Sequence, residues 1–126
     1  MHILLLDQLI RTCGAQPIAE RDADAIRNQA GWSREHFCDE FSRRVAHGYA
    51  IGRLSYAVAD AAMNRLYVFG YGNEDGVLPT YSWDVYRAFD DGEYRHYGDA
   101  EDVDPEQKYT RPQILELVAR EQAKDG

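Results

Sequence analysis

A chain of 126 residues that is 44% hydrophobic and 29% charged, with a net charge of −8, has the composition of one globular domain rather than of a disordered or collagen-like chain. Its first apolar run, Ile3-Leu4-Leu5-Leu6, follows no basic residue and is broken by Asp7, so it falls short of a secretory signal or a membrane span. Two cysteines are too few for a secreted disulfide framework, and the expectation is a reduced cytoplasmic protein that folds without a disulfide or metal staple.

Residues 2–13 are predicted to form an amphipathic helix: Ile3, Leu6, Ile10 and Cys13 fall on one face, and Leu5 and Leu9 widen it. Gly14 supplies the stop, with Pro17 beyond it. A more polar helix is expected over 19–30, with Ala23, Ile26 and Ala30 inward and Gly31 as its end. Ser33 is a good N-cap, because its hydroxyl can accept an orphan N–H of the next turn, and Glu35 suits the positive helix start. The helix it opens carries Phe37, Phe41, Val45 and Tyr49 at four-residue steps and weakens at Gly48 and Gly52. Another helix is expected from Arg53 to Phe69, with Leu54, Val58, Ala61, Ala62, Leu66 and Phe69 on one side. The alanine pair allows a neighbouring helix to approach closely. Tyr67-Val68-Phe69 has strand-like composition, which leaves the last turn open to an extended form.

Residues 70–80 hold three glycines, an Asn and a Pro, and read as a loop. Thr80 or Ser82 then caps a helix to Asp90, with Trp83, Tyr86 and Phe89 at spacings of three as its inward stripe and Val85 beside it. Asp91-Gly92 ends it. Residues 93–104 have no clean period and read as irregular, with an extended piece at 93–97. Asp104-Pro105 pairs a cap with the residue favoured at a first helical position, so a short turn follows over 105–109. Thr110 caps the last helix, which tolerates Pro112 in its first turn and docks through Ile114, Leu115, Leu117 and Val118. No internal repeat or low-complexity segment interrupts this order. The fold class is all-α, a compact single domain of five or six short helices over 1–126 with one small extended segment near 93–97.

The charge is distributed unevenly. Residues 1–73 carry eight acids and eight bases, whereas residues 74–126 carry fourteen acids and six bases, so the whole excess lies in the second part. Between Asp84 and Glu106 nine acids face only Arg87 and Arg95. Such a stretch repels nucleic acid and acidic membrane surfaces and attracts a basic protein surface or a hard cation. Its plainest role is a solvated, solubilising loop.

The chain holds no motif that carries a reaction or identifies a family. His36, Cys38 and His47 lack the spacing of a zinc site, which needs an i, i+4 pair or paired Cys-x-x-Cys. Cys13 and Cys38 border apolar stripes and read as core rather than as nucleophiles. Counted from Asp99, the acidic run resembles the start of a calcium loop, but Val103, Asp104 and Thr110 stand where an acid, a Gly and a Glu are needed. Gly70-Tyr71-Gly72 lacks the remaining parts of a phosphate loop, and no Gly-x-Ser-x-Gly elbow occurs. No catalytic, cofactor or metal residue is therefore assigned.

What remains is acid interleaved with Tyr and Trp, residue types that dominate interface energetics. Trp83, Tyr86 and Phe89 are assigned to the core by their spacing, which leaves the irregular acidic segment as the contact surface. The residues expected to touch a partner are Asp90, Asp91, Glu93, Tyr94, Tyr97, Asp99, Glu101, Asp102 and Asp104. The reading is a small acidic protein-binding protein, such as an immunity-type inhibitor that covers a basic toxin or nuclease surface. Its partner is a basic protein, not nucleic acid or a membrane, with a homodimer through the Phe37/Phe41/Val45 or Ala61/Ala62 stripe as a further option. The alternative is a small enzyme or metal-dependent module with a site between the 33–69 helices and the 81–104 segment, in a pocket holding Glu93 or His96.

Overall fold

Six α-helices run through the residues that the computed structural model describes, 2–125, and no strand occurs among them. They are α1 (His2–Thr12), α2 (Glu20–Ala30), α3 (Arg34–Ala50), α4 (Tyr56–Phe69), α5 (Thr80–Asp91) and α6 (Arg111–Asp125). Single 3₁₀ turns follow α1 at Cys13–Ala15 and α4 at Gly70–Gly72, and a π-helical turn, Glu106–Thr110, leads into α6. The all-α class expected from the periodicity is what the chain adopts.

Helix α3 touches the five other helices. Its burial follows from that place: Phe37, Phe41, Val45 and Tyr49 are buried as their spacing predicts, and so are Cys38, Ser42, Ala46 and Gly48 on the adjoining face. The 37/41/45 stripe is thus spent inside the molecule and offers nothing to a second copy. Ala62 is buried too, and Ala61 lies where a Cβ on Gly14 would stand 2.9 Å from its own, so the alanine pair receives the turn after α1. Arg65 ties the same contact by donating to the Gly14 carbonyl from 3.2 Å.

Local signals account for most helix ends. Ser33 accepts the His36 N–H at 3.0 Å. Gly31 ends α2 at φ 72°, and the Gly31 and Trp32 N–H groups both reach the Arg27 carbonyl. A left-handed residue without a Cβ satisfies the orphan carbonyls of a last turn at low cost. Helix α4 starts later than expected. Ser55, not Arg53, precedes it and accepts the Val58 N–H at 3.2 Å. Arg53 and Leu54 instead form a turn whose N–H groups return to the Gly48 carbonyl, with Leu54 folded over Gly48. Tyr67-Val68-Phe69 stays helical.

Three further expectations fail for reasons of packing. Neither Thr80 nor Ser82 caps α5: Ser82 is buried and donates its hydroxyl to Asp39 on α3 at 2.8 Å. Thr110 does not cap the last helix. The helical backbone already begins at Pro105, behind an Asp104 carboxylate that accepts the Glu106 N–H at 3.0 Å, and the buried Thr110 hydroxyl donates to the Ala88 carbonyl at 2.6 Å. Pro112 brings no N–H to the turn before it, and the widened turn at 106–110 lies there. Residues 93–97 form no strand: a turn at 92–93 and a bend at Tyr94 lead to irregular backbone at Arg95 and His96. At the rim, Leu5 and Leu115 are exposed rather than docked, Leu115 at 43%.

The C-terminal end of α5 is held by side chains. Tyr56 on α4 donates to the Phe89 carbonyl at 2.7 Å, beside the Thr110 bond to Ala88. These bonds satisfy carbonyls that the helix cannot satisfy itself. Gly92 must follow without a side chain, since a Cβ there would stand 2.0 Å from the Thr110 oxygen. The acidic segment leaves the core at this point.

Candidate protein-binding face

The acids of residues 90–104 do not form one free surface. Asp99 is drawn inward. Its carboxylate accepts from Tyr109 at 2.6 Å and from the His96 N–H at 3.0 Å, and it pairs with Lys108. Its side chain is 4% exposed, covered by these local neighbours rather than by depth in the core. They hold it well below the usual carboxylate range, the Lys108 bond contributing most. Asp91 accepts from Gln113 at 3.1 Å, and its carbonyl lies 2.9 Å from Nε2 of His96, which therefore carries its proton on that nitrogen. Asp104 is the cap described above. Tyr94 is exposed but stacks on His96, whose other face lies 3.9 Å from the Tyr109 ring. Tyr97, Glu101 and Asp102 alone stand out on the loop, with no side-chain bond among the described residues. Three of the nine expected contact residues, Asp91, Asp99 and Asp104, thus organise the segment itself.

Asp90 and Glu93 belong to a different face, built by α4 and α5. On α4, residues 60, 64, 67 and 71 recur along one side. They carry Asp60, Asn64, Tyr67 and, in the following turn, Tyr71. On α5 the matching side carries Trp83, Tyr86 and Asp90, with Glu93 just beyond. Tyr67 and Tyr86 stack at 4.6 Å with planes 13° apart, Trp83 stacks on Tyr86 at 5.5 Å, and Tyr71 meets Tyr67 edge-on at 5.4 Å. Tyr71 is 60% exposed and Trp83 39%. The assignment of Trp83 to the core is therefore corrected, while Tyr86 is half-buried at the core's edge: Ser82, Val85, Ala88 and Phe89 are the buried side of α5. Both stripes have the same spacing, and only the Asp39 partner makes Ser82 acceptable inside. Sequence reasoning also missed Tyr67 and Tyr71. The signal available was that Asp60, Asn64, Tyr67 and Tyr71 share a stripe set apart from the apolar side of α4.

Carboxylates continue this aromatic ladder. Glu93 accepts from Asn64 at 3.3 Å. Burial and then the charge of Asp90 push the Tyr86 hydroxyl upward, with Glu93 adding to it. Asp60, on α4, faces Glu93 with its Oδ1 buried and unpartnered. Burial, then the hydrogen bond and charge of Glu93, then the charge of Asp90, push its carboxyl up to about 8. At neutral pH Asp60, facing Glu93, therefore keeps its proton. An unfolded carboxyl titrates near 4, so the folded state holds a proton that the unfolded chain lacks between about pH 4 and 8, and this pair lowers stability as pH rises through that window. Asp60→Asn keeps the shape and removes the proton. Urea unfolding should find it more stable than the parent by about 1 kcal/mol at pH 8 and equal to it near pH 4. The same difference at both pH values would show that Asp60 titrates in the folded chain as it does in the unfolded one.

Both thiols, Cys13 and Cys38, are free and buried, and burial pushes each up to about 11, which removes thiolate chemistry at neutral pH. His36 and His47 are exposed on α3, His36 beside Glu40 at 3.4 Å. Among the described residues no group of three or more His, Cys, Asp or Glu side chains is arranged to hold a metal ion. No helix among them is long and apolar enough to cross a membrane. Among the described residues, none of five surface grooves is lined by Glu93 or His96. Compared with protein-family models, curated proteins and solved structures, the chain matches none.

Proposed function

We propose that this chain is a small protein-binding protein that covers a basic surface of another protein, in the manner of an immunity-type inhibitor of a toxin or nuclease. One observation carries the reading: the negative charge of residues 74–126 is not neutralised within the fold. Half of the eight acids of the first part are in ion pairs, Asp7 with Arg44, Glu20 with Arg34, Asp24 with Arg27 and Glu40 with Arg43. In the second part only Asp99 and Glu121 make ion pairs among the described residues. An unscreened field of one sign speeds encounter with a cationic partner and loses force with salt.

The test is capture at low and then high salt, with Glu101→Lys/Asp102→Lys as the charge-reversed variant. Both side chains are exposed and free of internal bonds among the described residues, unlike that of Asp99, whose reversal would unhook the segment. A stoichiometric basic protein that elutes with salt and associates at least threefold more slowly with the variant is expected. Salt-independent retention of an acidic or neutral protein would overturn the reading, as would the absence of any partner at low salt.

The ligand-site alternative draws on Asp60, since a carboxyl kept protonated beside a carboxylate is an acid–base arrangement. It predicts a rise in Tm with a metal ion or nucleotide. A flat response removes it.

A further inference from the structure

We infer that the ladder Tyr71–Tyr67–Tyr86–Trp83, with Asp90 and Glu93 at its end, is the surface that docks an arginine-bearing segment of the partner. The inference rests on the proposed binding of a basic protein and locates it on α4 and α5 instead of the 97–104 loop.

Four contiguous rings on a surface are costly to leave in water unless something covers them. Tyr67 and Tyr86 are half-buried against the core, Tyr71 and Trp83 are exposed, and none of the four rings carries a cation of the fold among the described residues. Every cation–π pair among the described residues lies elsewhere: Arg34 on Phe69, Arg43 on Tyr81, Lys108 on Tyr109 and Arg111 on Tyr49. A ring face without its own cation is an acceptor for one supplied from outside. The chemistry of the rim selects the occupant. Asp90 follows Tyr86 by one helical turn, and Glu93 reaches Asn64, three residues before Tyr67 on α4. Aromatic faces thus adjoin carboxylates along one surface, and Arg87 is the exposed base on the neighbouring position of α5.

A planar guanidinium fits both halves of such a surface, because it stacks on a ring while its N–H fork meets a carboxylate. The molecule already contains this arrangement internally. Arg34 lies 3.7 Å over the Phe69 ring while its Nη1 reaches Glu20 at 2.5 Å. An ammonium group lacks the plane and the fork. A second copy of the chain is disfavoured as occupant, since it carries the same net charge of −8 and offers no concentrated positive surface. An anionic partner meets the same repulsion.

The experiment titrates the full chain at low salt with an octa-arginine peptide, an octa-lysine peptide serving as control. Three proteins are compared: the parent, Tyr71→Ala/Trp83→Ala, and Glu101→Lys/Asp102→Lys. Tyr71 and Trp83 are exposed, so the ladder variant should keep the parent's circular dichroism. Octa-arginine is expected to bind the parent at least threefold more tightly than octa-lysine. Its affinity should fall at least tenfold in the ladder variant and less than threefold in the loop variant. In ¹⁵N-labelled parent the indole N–H of Trp83 should shift during the titration while that of Trp32 stays, a readout that does not depend on any variant folding. A loss confined to the loop variant with a static Trp83 would overturn this siting and leave the broader reading intact. No binding of either peptide would overturn both. A parent that sediments as a dimer and a ladder variant that sediments as a monomer would also overturn the inference, by making the ladder a contact between copies.

Discussion

Phe89→Ala is expected to destabilise the fold by about 3–5 kcal/mol, the cost of deleting a fully enclosed aromatic ring and leaving its cavity. The ring is 0% exposed and packs edge-on against Tyr49 at 5.2 Å and against Tyr56 at 5.9 Å. The loss reaches past the ring, because Tyr56 bonds the Phe89 carbonyl and Thr110 bonds that of Ala88. Loosening that end of α5 frees the whole acidic segment. Urea unfolding followed by circular dichroism measures it, with the slope against urea expected to stay unchanged. Trp83→Ala is the control within the same helix, expected to change stability by less than about 1 kcal/mol, since its ring is partly in water. Equal costs for the two would mean that α5 turns its other stripe inward and that the aromatic ladder does not exist.

Arg34→Ala is expected to cost about 2–4 kcal/mol, because it leaves the Asn73 amide oxygen and the Phe69 carbonyl without their covered donor. Its side chain, 14% exposed, donates to the Phe69 carbonyl at 2.5 Å and to Asn73 Oδ1 at 2.8 Å while pairing with Glu20. One residue thereby joins α2, α3, the end of α4 and the loop that follows it. Asn73 passes the constraint on by donating to the Val77 carbonyl at 2.9 Å. Hydrogen exchange should therefore accelerate over residues 70–79 in the variant while the α3–α6 contact keeps its protection. Arg34→Lys should recover less than half of the loss, as an ammonium cannot reproduce the planar fork. Uniform acceleration across the chain would instead show that Arg34 supports the global fold and not this loop.

How much of this was legible beforehand depends on how far apart the interacting residues lie. The start of α3 at Ser33, the stop of α2 at Gly31 and the buried face of α1 at Leu6 and Ile10 rest on neighbours within one or two turns, and the chain shows them directly. The orientation of α5 was not legible, because Ser82/Val85/Phe89 and Trp83/Tyr86 repeat at the same interval. The choice between them falls to Asp39, 43 residues away, which gives the Ser82 hydroxyl a partner in the core. Thr110 reads as a cap until Ala88, 22 residues earlier, claims its hydroxyl. The acidic segment reads as one field of free charge until Lys108 and Tyr109 fold back on Asp99.

The chain by itself therefore determined the helical class, the order of the helices and the concentration of uncompensated acid in residues 74–126. Those properties follow from local periodicity, capping chemistry and summed charge, which need no knowledge of distant contacts. Only the tertiary structure decided which carboxylates stay free and which aromatic rings reach the surface. Both depend on whether a partner remote in sequence satisfies a polar group or covers a ring, and packing alone brings such partners together.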